Sequence, residues 1–186
     1  ADALAAAPPD EIEIVTSYLS GSLRQRRTGV GWRSARATVP PASEPSLTVT
    51  EVDAVFEALA GLSGSGSQLA RKAQLDDLMA QATADEQQWL AGLITGETRQ
   101  GALDGVMVDA LVRASELPVT AVRRAVMLAG ATPPVAVAAL TGGADAVAAI
   151  GLRVGRPVRP MLAASAKSVA EAMTSLGGEV AVEAQL

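Results

Sequence analysis

The sequence has no cysteine, no histidine and few aromatic side chains: two Trp, one Tyr and one Phe in 186 residues. Each shortage excludes something. Without His or Cys there is no serine-histidine triad, cysteine nucleophile, zinc finger or thiolate-bound cluster, so any reaction would run on carboxylates, Lys, Arg or hydroxyls. With so few aromatics and so much Ala, Leu and Val, packed helices are expected rather than a sandwich or barrel. The fold class expected is all-α, and the chain is long enough for one domain with a sizeable core. The absence of disulfides fits an intracellular protein. No basic residue precedes the alanines of 1–10, so that stretch does not read as a secretory signal. The most apolar run, 125–150, is broken by Pro133-Pro134 and Gly142-Gly143, which argues against a membrane span. A cytoplasmic domain with no membrane partner is the expectation.

The formal charge is −5, but its distribution is uneven. No acidic residue lies between Glu13 and Glu44, and that gap holds Arg24, Arg26, Arg27, Arg33 and Arg36, a local charge of +5. Thirteen of the fifteen basic residues are Arg, whose planar fork suits phosphate oxygens. A G+C-rich genome would give the same Arg bias and the same alanines without any ligand.

The chain also repeats itself. At an offset of 75, Asp10, Glu11, Gly21, Arg24 and Gln25 fall on Asp85, Glu86, Gly96, Arg99 and Gln100. Both copies read Asp-Glu, an apolar helical stretch, then [Leu/Ile]-[Ser/Thr]-Gly-x-x-Arg-Gln. The match resumes where Leu47, Val49, Thr50 and Val52 correspond to Leu117, Val119, Thr120 and Val122. Two units, 10–61 and 85–130, predict a single multi-helix domain built from two pseudo-symmetric helical halves. Segment 62–82 has no full counterpart before the first unit, so a further N-terminal helix is expected and the polypeptide reads as part of something longer.

Local signals place the helices. Thr83 and Glu86 form a capping box, which predicts a helix over 84–95 stopping at Gly96. Its copy should run from about Pro9 to Gly21. Ser67 is expected to cap a helix reaching Ala82, and Thr50 and Thr120 to cap helices ending near Gly61 and Gly130. Further helices are expected over 104–116, on both sides of Gly142-Gly143, and over 167–176. Trp89 lies among apolar neighbours and is expected in the core.

Two elements could receive phosphates. The first is the loop Leu62-Ser-Gly-Ser-Gly-Ser67, which opens into a helix carrying Arg71 and Lys72. Glycines let backbone N–H groups approach an anion, and the helix dipole favours it. The loop lacks Gly-Lys-[Ser/Thr], so it is no nucleotide-triphosphate loop; a flexible Gly-Ser linker would look the same. The second is the repeated Gly-x-x-Arg-Gln, followed by Gly29 and Gly31 in one copy and Gly101 and Gly105 in the other. It could set an Arg beside each strand of a duplex, or simply cap helix carbonyls. No carboxylate constellation stands out as catalytic or metal-binding.

Taken together, Leu62-Ser-Gly-Ser-Gly-Ser-Gln68, Arg71-Lys72, Glu86, Gly96-Glu-Thr-Arg-Gln-Gly-Ala-Leu103 and Leu23-Arg-Gln-Arg-Arg-Thr-Gly-Val-Gly-Trp32 resemble the N-terminal DNA-binding domain of bacterial, actinobacterial-type ATP-dependent DNA ligases. Gly155-Arg-Pro-Val-Arg-Pro-Met-Leu-Ala163 is similar to the stretch leading into the adenylation domain of these enzymes. Val182-Glu-Ala-Gln-Leu186 sits where their Glu-x-Lys-x-Asp-Gly motif begins, but Gln185 stands in place of the lysine that takes AMP. An amide cannot supply that amine nucleophile, so no self-adenylation is expected of this polypeptide and no catalytic residue is assigned.

The resemblance implies a helical DNA-binding domain over 1–151, then 152–186 as linker and truncated start of an α/β nucleotidyltransferase domain. It implies grip on nicked double-stranded DNA through phosphates and the minor groove, without sequence specificity, by a monomer working with adenylation and OB domains of a longer chain. Sealing in repair, replication or recombination would use ATP and Mg²⁺ in that parent enzyme, with no cofactor or metal held here, in a nucleoid-associated setting. The DNA-contact candidates it carries over are Arg24, Arg26, Gly29, Gly31, Gly64, Gly66, Ser67, Arg71, Lys72, Arg99 and Gly101. An α-helical scaffold that docks a protein, with the Arg run as a solvated face, is the reading from another class.

Overall fold

A computed structural model describes residues 1–25, 27–31, 35, 39–98, 103–159, 165–178 and 180. The described residues contain nine helices and no strand: α1 (Asp2–Ala6), α2 (Ile12–Leu19), α3 (Val49–Gly61), α4 (Ser67–Gln81), α5 (Ala84–Thr95), α6 (Leu103–Ser115), α7 (Val119–Ala129), α8 (Pro133–Ala148) and α9 (Val169–Leu176). The chain is all-helical, as its composition predicts. Among the described residues no helix is long and apolar enough to cross a membrane.

Two hydrophobic cores form, and α2 serves both. Ile12 packs with Leu4, Met107, Leu111, Val122, Val126 and Val135. Ile14 and Tyr18 pack on the other side with Phe56, Leu59, Leu75, Leu78 and Leu90. Residues two apart on a helix point about 200° from one another, so Ile12 and Ile14 necessarily address opposite sides. The hydroxyls this buries are satisfied within the helix: Thr16 Oγ1 donates to the Ile12 carbonyl at 2.6 Å and Ser17 Oγ to that of Glu13 at 2.8 Å. Helix α8 lies against α2 and α7. It buries Ala136 and Ala139, small side chains that admit a neighbouring backbone, which gives the alanine-rich composition a packing role.

Helix starts follow the capping rules, with three displacements from the sequence expectations. Thr83 and Glu86 form the predicted box, and α5 ends at Gly96. Helix α3 is capped by Thr48, not Thr50, because Thr48 has Glu51 three residues on: Thr48 N–H donates to Glu51 at 2.9 Å and Glu51 N–H donates back at 3.2 Å. Thr50 instead donates its hydroxyl to Glu11 at 2.6 Å. Helix α7 begins after Pro118, whose fixed φ sets the entry without a side-chain cap, leaving Thr120 inside the first turn. Ser67 is the first residue of α4, since the left-handed Gly66 takes the cap position. The Gly142-Gly143 break is real: Gly143, at φ 62° and ψ −149°, interrupts α8.

Beyond α8, segment 150–159 turns back over the α6–α7 end of the fold. Arg159 N–H donates to the Met127 carbonyl at 2.9 Å. Its guanidinium reaches the Gly130 carbonyl at 3.3 Å and Asp104 at 3.4 Å. Pro157 passes so close that a Cβ on Gly130 would sit 2.8 Å from its carbonyl oxygen. Helix α9 buries none of its side chains.

Candidate nucleic-acid interface

Helix α2 stops at Leu19, and the chain passes through Gly21 alongside the C-terminal end of α5. Residues 21–23, 25, 27–30 and 93–96 line one cleft of about 590 Å³. The two copies of the repeated glycine motif therefore meet there. Thr98 of the second copy bridges to the first through a 3.5 Å hydrogen bond from its hydroxyl to the Gly21 carbonyl.

Arg71 joins this region to the glycine-serine loop. Its Nε donates to the Thr28 carbonyl at 3.1 Å, Nη1 to Ser67 Oγ at 3.1 Å, and Nη2 to the Leu62 carbonyl. One guanidinium thus binds segments that are 43 residues apart in the chain. Gly29 lies flat against it: a Cβ there would come within 2.5 Å of Arg71 Nε, and its φ of +69° disfavours any side chain. Gly31, Gly64 and Gly66 have nothing within 4 Å of a Cβ position, so their backbone faces open space. Helix α4 starts here without a side-chain cap, unlike α3 and α5. The N–H groups in its first turn have no side-chain acceptor, which suits an anion. Lys72, one residue on, is exposed and pairs with Asp76.

Arg24 is placed differently from its neighbours. Its Nε donates to Asp53 at 3.1 Å, its Nη2 pairs with the other carboxylate oxygen, and Glu13 lies 3.7 Å from Nη1. Asp53 is buried and also accepts from Tyr18 OH at 3.2 Å and Gln25 Nε2 at 3.3 Å. Burial pushes the Asp53 carboxyl up, but the hydrogen bonds from Arg24, Gln25 and Tyr18 and the Arg24 charge outweigh it and hold the group below its ordinary range. The same contact holds Arg24 more firmly protonated. Burial, then the Asp53 charge, raises the Tyr18 phenol. The Arg24 charge is thus directed inward.

Arg27, exposed on the cleft, has no hydrogen-bond or ion-pair partner among the described residues. Sequence reasoning counted it in the basic run without selecting it. What separates it from Arg24 is a carboxylate 29 residues from Arg24 in the chain, which no local pattern announces. Arg26, Arg99 and Gly101, like Trp32, lie outside the described residues. Trp89 departs from its expected core position: it is 40% exposed and meets Tyr18 edge-on, centroids 5.8 Å apart. Leu90 and Leu93 take the buried face of α5, and Trp89 falls at its margin. No group of three or more acidic residues is arranged to hold a metal ion among the described residues.

Comparison with known proteins adds two findings. A family model described as DNA ligase N terminus matches residues 9–112. The chain is 53% identical over 180 residues to a probable DNA ligase of Rhodococcus jostii, covering 96% of this chain and 36% of that protein. It is 53% identical over 192 residues to one from a Nocardioides species, covering all of this chain and 38% of the relative. A third, from Beutenbergia cavernae, is 56% identical over 188 residues, covering 98% and 37%. The chain thus spans little more than a third of the length of these relatives.

Proposed function

The chain belongs to the DNA ligase N terminus family, and on that premise we propose that it is the module of an ATP-dependent DNA ligase that holds nicked duplex DNA without reading its sequence. The observation that carries this reading is the joint made by Arg71. It fixes the Gly29–Gly31 stretch and the Gly64–Gly66 loop to one another beside the uncapped start of α4 and Arg27, which has no partner among the described residues. Open glycine backbone, a helix start without a side-chain cap and a cation with no partner among the described residues form a surface for phosphate oxygens and the minor-groove edge.

Within this reading the candidates divide by role. Gly31, Gly64, Gly66 and Ser67 present backbone, and Arg27 and Lys72 present charge. Arg24 and Arg71 position the loops. Arg26, Arg99 and Gly101 remain contact candidates on sequence grounds. The duplex would be presented to adenylation and OB domains of a longer chain, where ATP and Mg²⁺ supply the sealing chemistry in repair, replication or recombination. The module works as a monomer in the cytoplasm, at the nucleoid. Segment 152–186 leads toward the adenylation domain, and Arg159 fixes where it departs.

Fluorescence anisotropy of a labelled nicked duplex, titrated with the chain across a salt series, tests the reading. The logarithm of the binding constant should fall linearly with that of salt concentration, with a slope reporting several released counterions. Salt-independent association, or none at low ionic strength, would contradict it. A tighter grip is expected when further domains are present, since linked sites raise effective concentration.

A further inference from the structure

Apart from the cleft of the basic loops, with which they share no lining residue, two apolar hollows flank Trp89. One, of about 390 Å³, lies against Ala3, Ala6, Val15 and Leu19. The other, of about 140 Å³, lies over Val52 and Leu90. Tyr18, Val49 and Trp89 line both, so the two are halves of one groove. Its walls include exposed apolar side chains, Leu19 at 43% and Trp89 at 40%. No described element closes over them.

The charge around the groove identifies what could. Its lining comes entirely from segments 1–23, 37–70 and 73–98. Those segments contain no Lys or Arg and carry 13 of the 20 acidic residues, of which Glu13, Asp53 and Asp76 pair with Arg24 and Lys72 just outside them; no Lys or Arg lines either hollow. Glu11 lies at one hollow and Glu86 at the other. Each accepts hydrogen bonds from a nearby threonine that leave its charge uncancelled: Glu11 from Thr50, Glu86 from Thr83. A nucleic acid would be repelled here.

We infer that the groove around Trp89 docks a short amphipathic segment of a partner protein, with bulky apolar anchors on one face and Lys or Arg flanking them. Helix-in-groove recognition needs an apolar channel for anchors spaced at i, i+3 or i+4 and i+7, and a rim of opposite charge to set register. Trp is the side chain most often found at the energetic centre of such contacts. This surface shares no side chain with the Arg27–Arg71 loops, so it leaves DNA binding intact.

The test uses the 186-residue chain and four fluorescein-labelled 18-residue helical peptides. The first has Leu and Trp at i, i+3, i+4 and i+7 with Lys elsewhere. The others replace Lys by Glu, Lys by Gln, or the apolar positions by Ser. Only the first should bind, and Trp89→Ala should weaken it about thirty-fold, the effect of losing an anchor. Leu19→Ser, on an exposed position of α2 that the fold does not need, should weaken it about fivefold while the anisotropy with nicked duplex stays unchanged. Equal binding of the Ser or Glu peptide would overturn the inference. So would a Gln peptide binding as tightly as the first, which would assign the groove to an uncharged segment. Binding untouched by Leu19→Ser and Trp89→Ala would overturn it too.

Discussion

Asp53→Ala should cost about 3 kcal/mol of folding stability, at the lower end of the range for breaking a buried ion pair. Asp53 is 5% exposed and collects hydrogen bonds from Tyr18, Arg24 and Gln25. Its removal leaves a phenol and a guanidinium without the acceptor that justified their positions. The Arg24 side chain is 34% exposed and can turn toward water or Glu13, which is why the lower end applies. Asp53→Asn keeps an acceptor and should cost less. The two also separate by pH. The carboxyl is held below its ordinary value in the folded chain, so its contribution is present above the unfolded value near 4 and is lost as pH falls through the folded one. Urea unfolding from pH 7 to pH 3 should show wild type losing more stability than Asp53→Asn. A pH-independent difference between them, or a cost under about 1 kcal/mol for Asp53→Ala, would refute the role given to this carboxylate.

Phe56→Ala is expected to cost about 3–5 kcal/mol, the range for emptying a buried aromatic site. Phe56 is fully buried, packs edge-on against Tyr18 with centroids 6.4 Å apart, and belongs to the same core as Leu75, Leu78 and Leu90. The one ring against it, Tyr18, is held by its hydroxyl on Asp53 and is not free to swing in and fill the space. Phe56→Leu, which keeps most of the volume, should cost about half as much. Helix α3 carries both Asp53 and Phe56, so the Ala variant should also loosen the Arg24 anchor and weaken nicked-DNA binding. Chemical denaturation with an unchanged slope and a lowered midpoint is the expected signature. A shift worth less than about 1 kcal/mol would show that this core closes around the loss.

How far the sequence carried these conclusions depended on distance along the chain. The Thr83–Glu86 box and the stop at Gly96 are rules spanning a few residues, and they hold. The same kind of rule misplaced the cap of α3 by two residues, since Thr48 and Thr50 each have an acid three positions on, and only Glu51 reaches back to close a box while Asp53 turns into the core. Contacts between distant segments were out of reach. Nothing local pairs Arg24 with Asp53 or aims Arg71 at Thr28, so the repeated motif and the family resemblance offered Arg24 as a DNA-contact candidate and left Arg27 only as a member of the basic run. The repeat was visible as letters, but that its two glycine turns share one cleft follows only from the tertiary fold, which brings the chain after α2 to the C-terminal end of α5. Trp89 was misjudged because apolar neighbours in sequence do not say which sector of α5 is buried. The run of 24–36 was legible as charge; the cation-free segments were equally countable, yet their shared groove was not.

The central claim is that phosphate is met by the outward charge at Arg27 while Arg24 works inward on Asp53. The most direct measurement compares the salt dependence of nicked-duplex binding for Arg27→Ala and Arg24→Ala. Arg27→Ala should lower the log–log slope by about 1 at unchanged stability, the loss of one phosphate contact. Arg24→Ala should leave the slope as it is and lower the unfolding midpoint. A slope lost with Arg24→Ala and kept with Arg27→Ala would contradict the account.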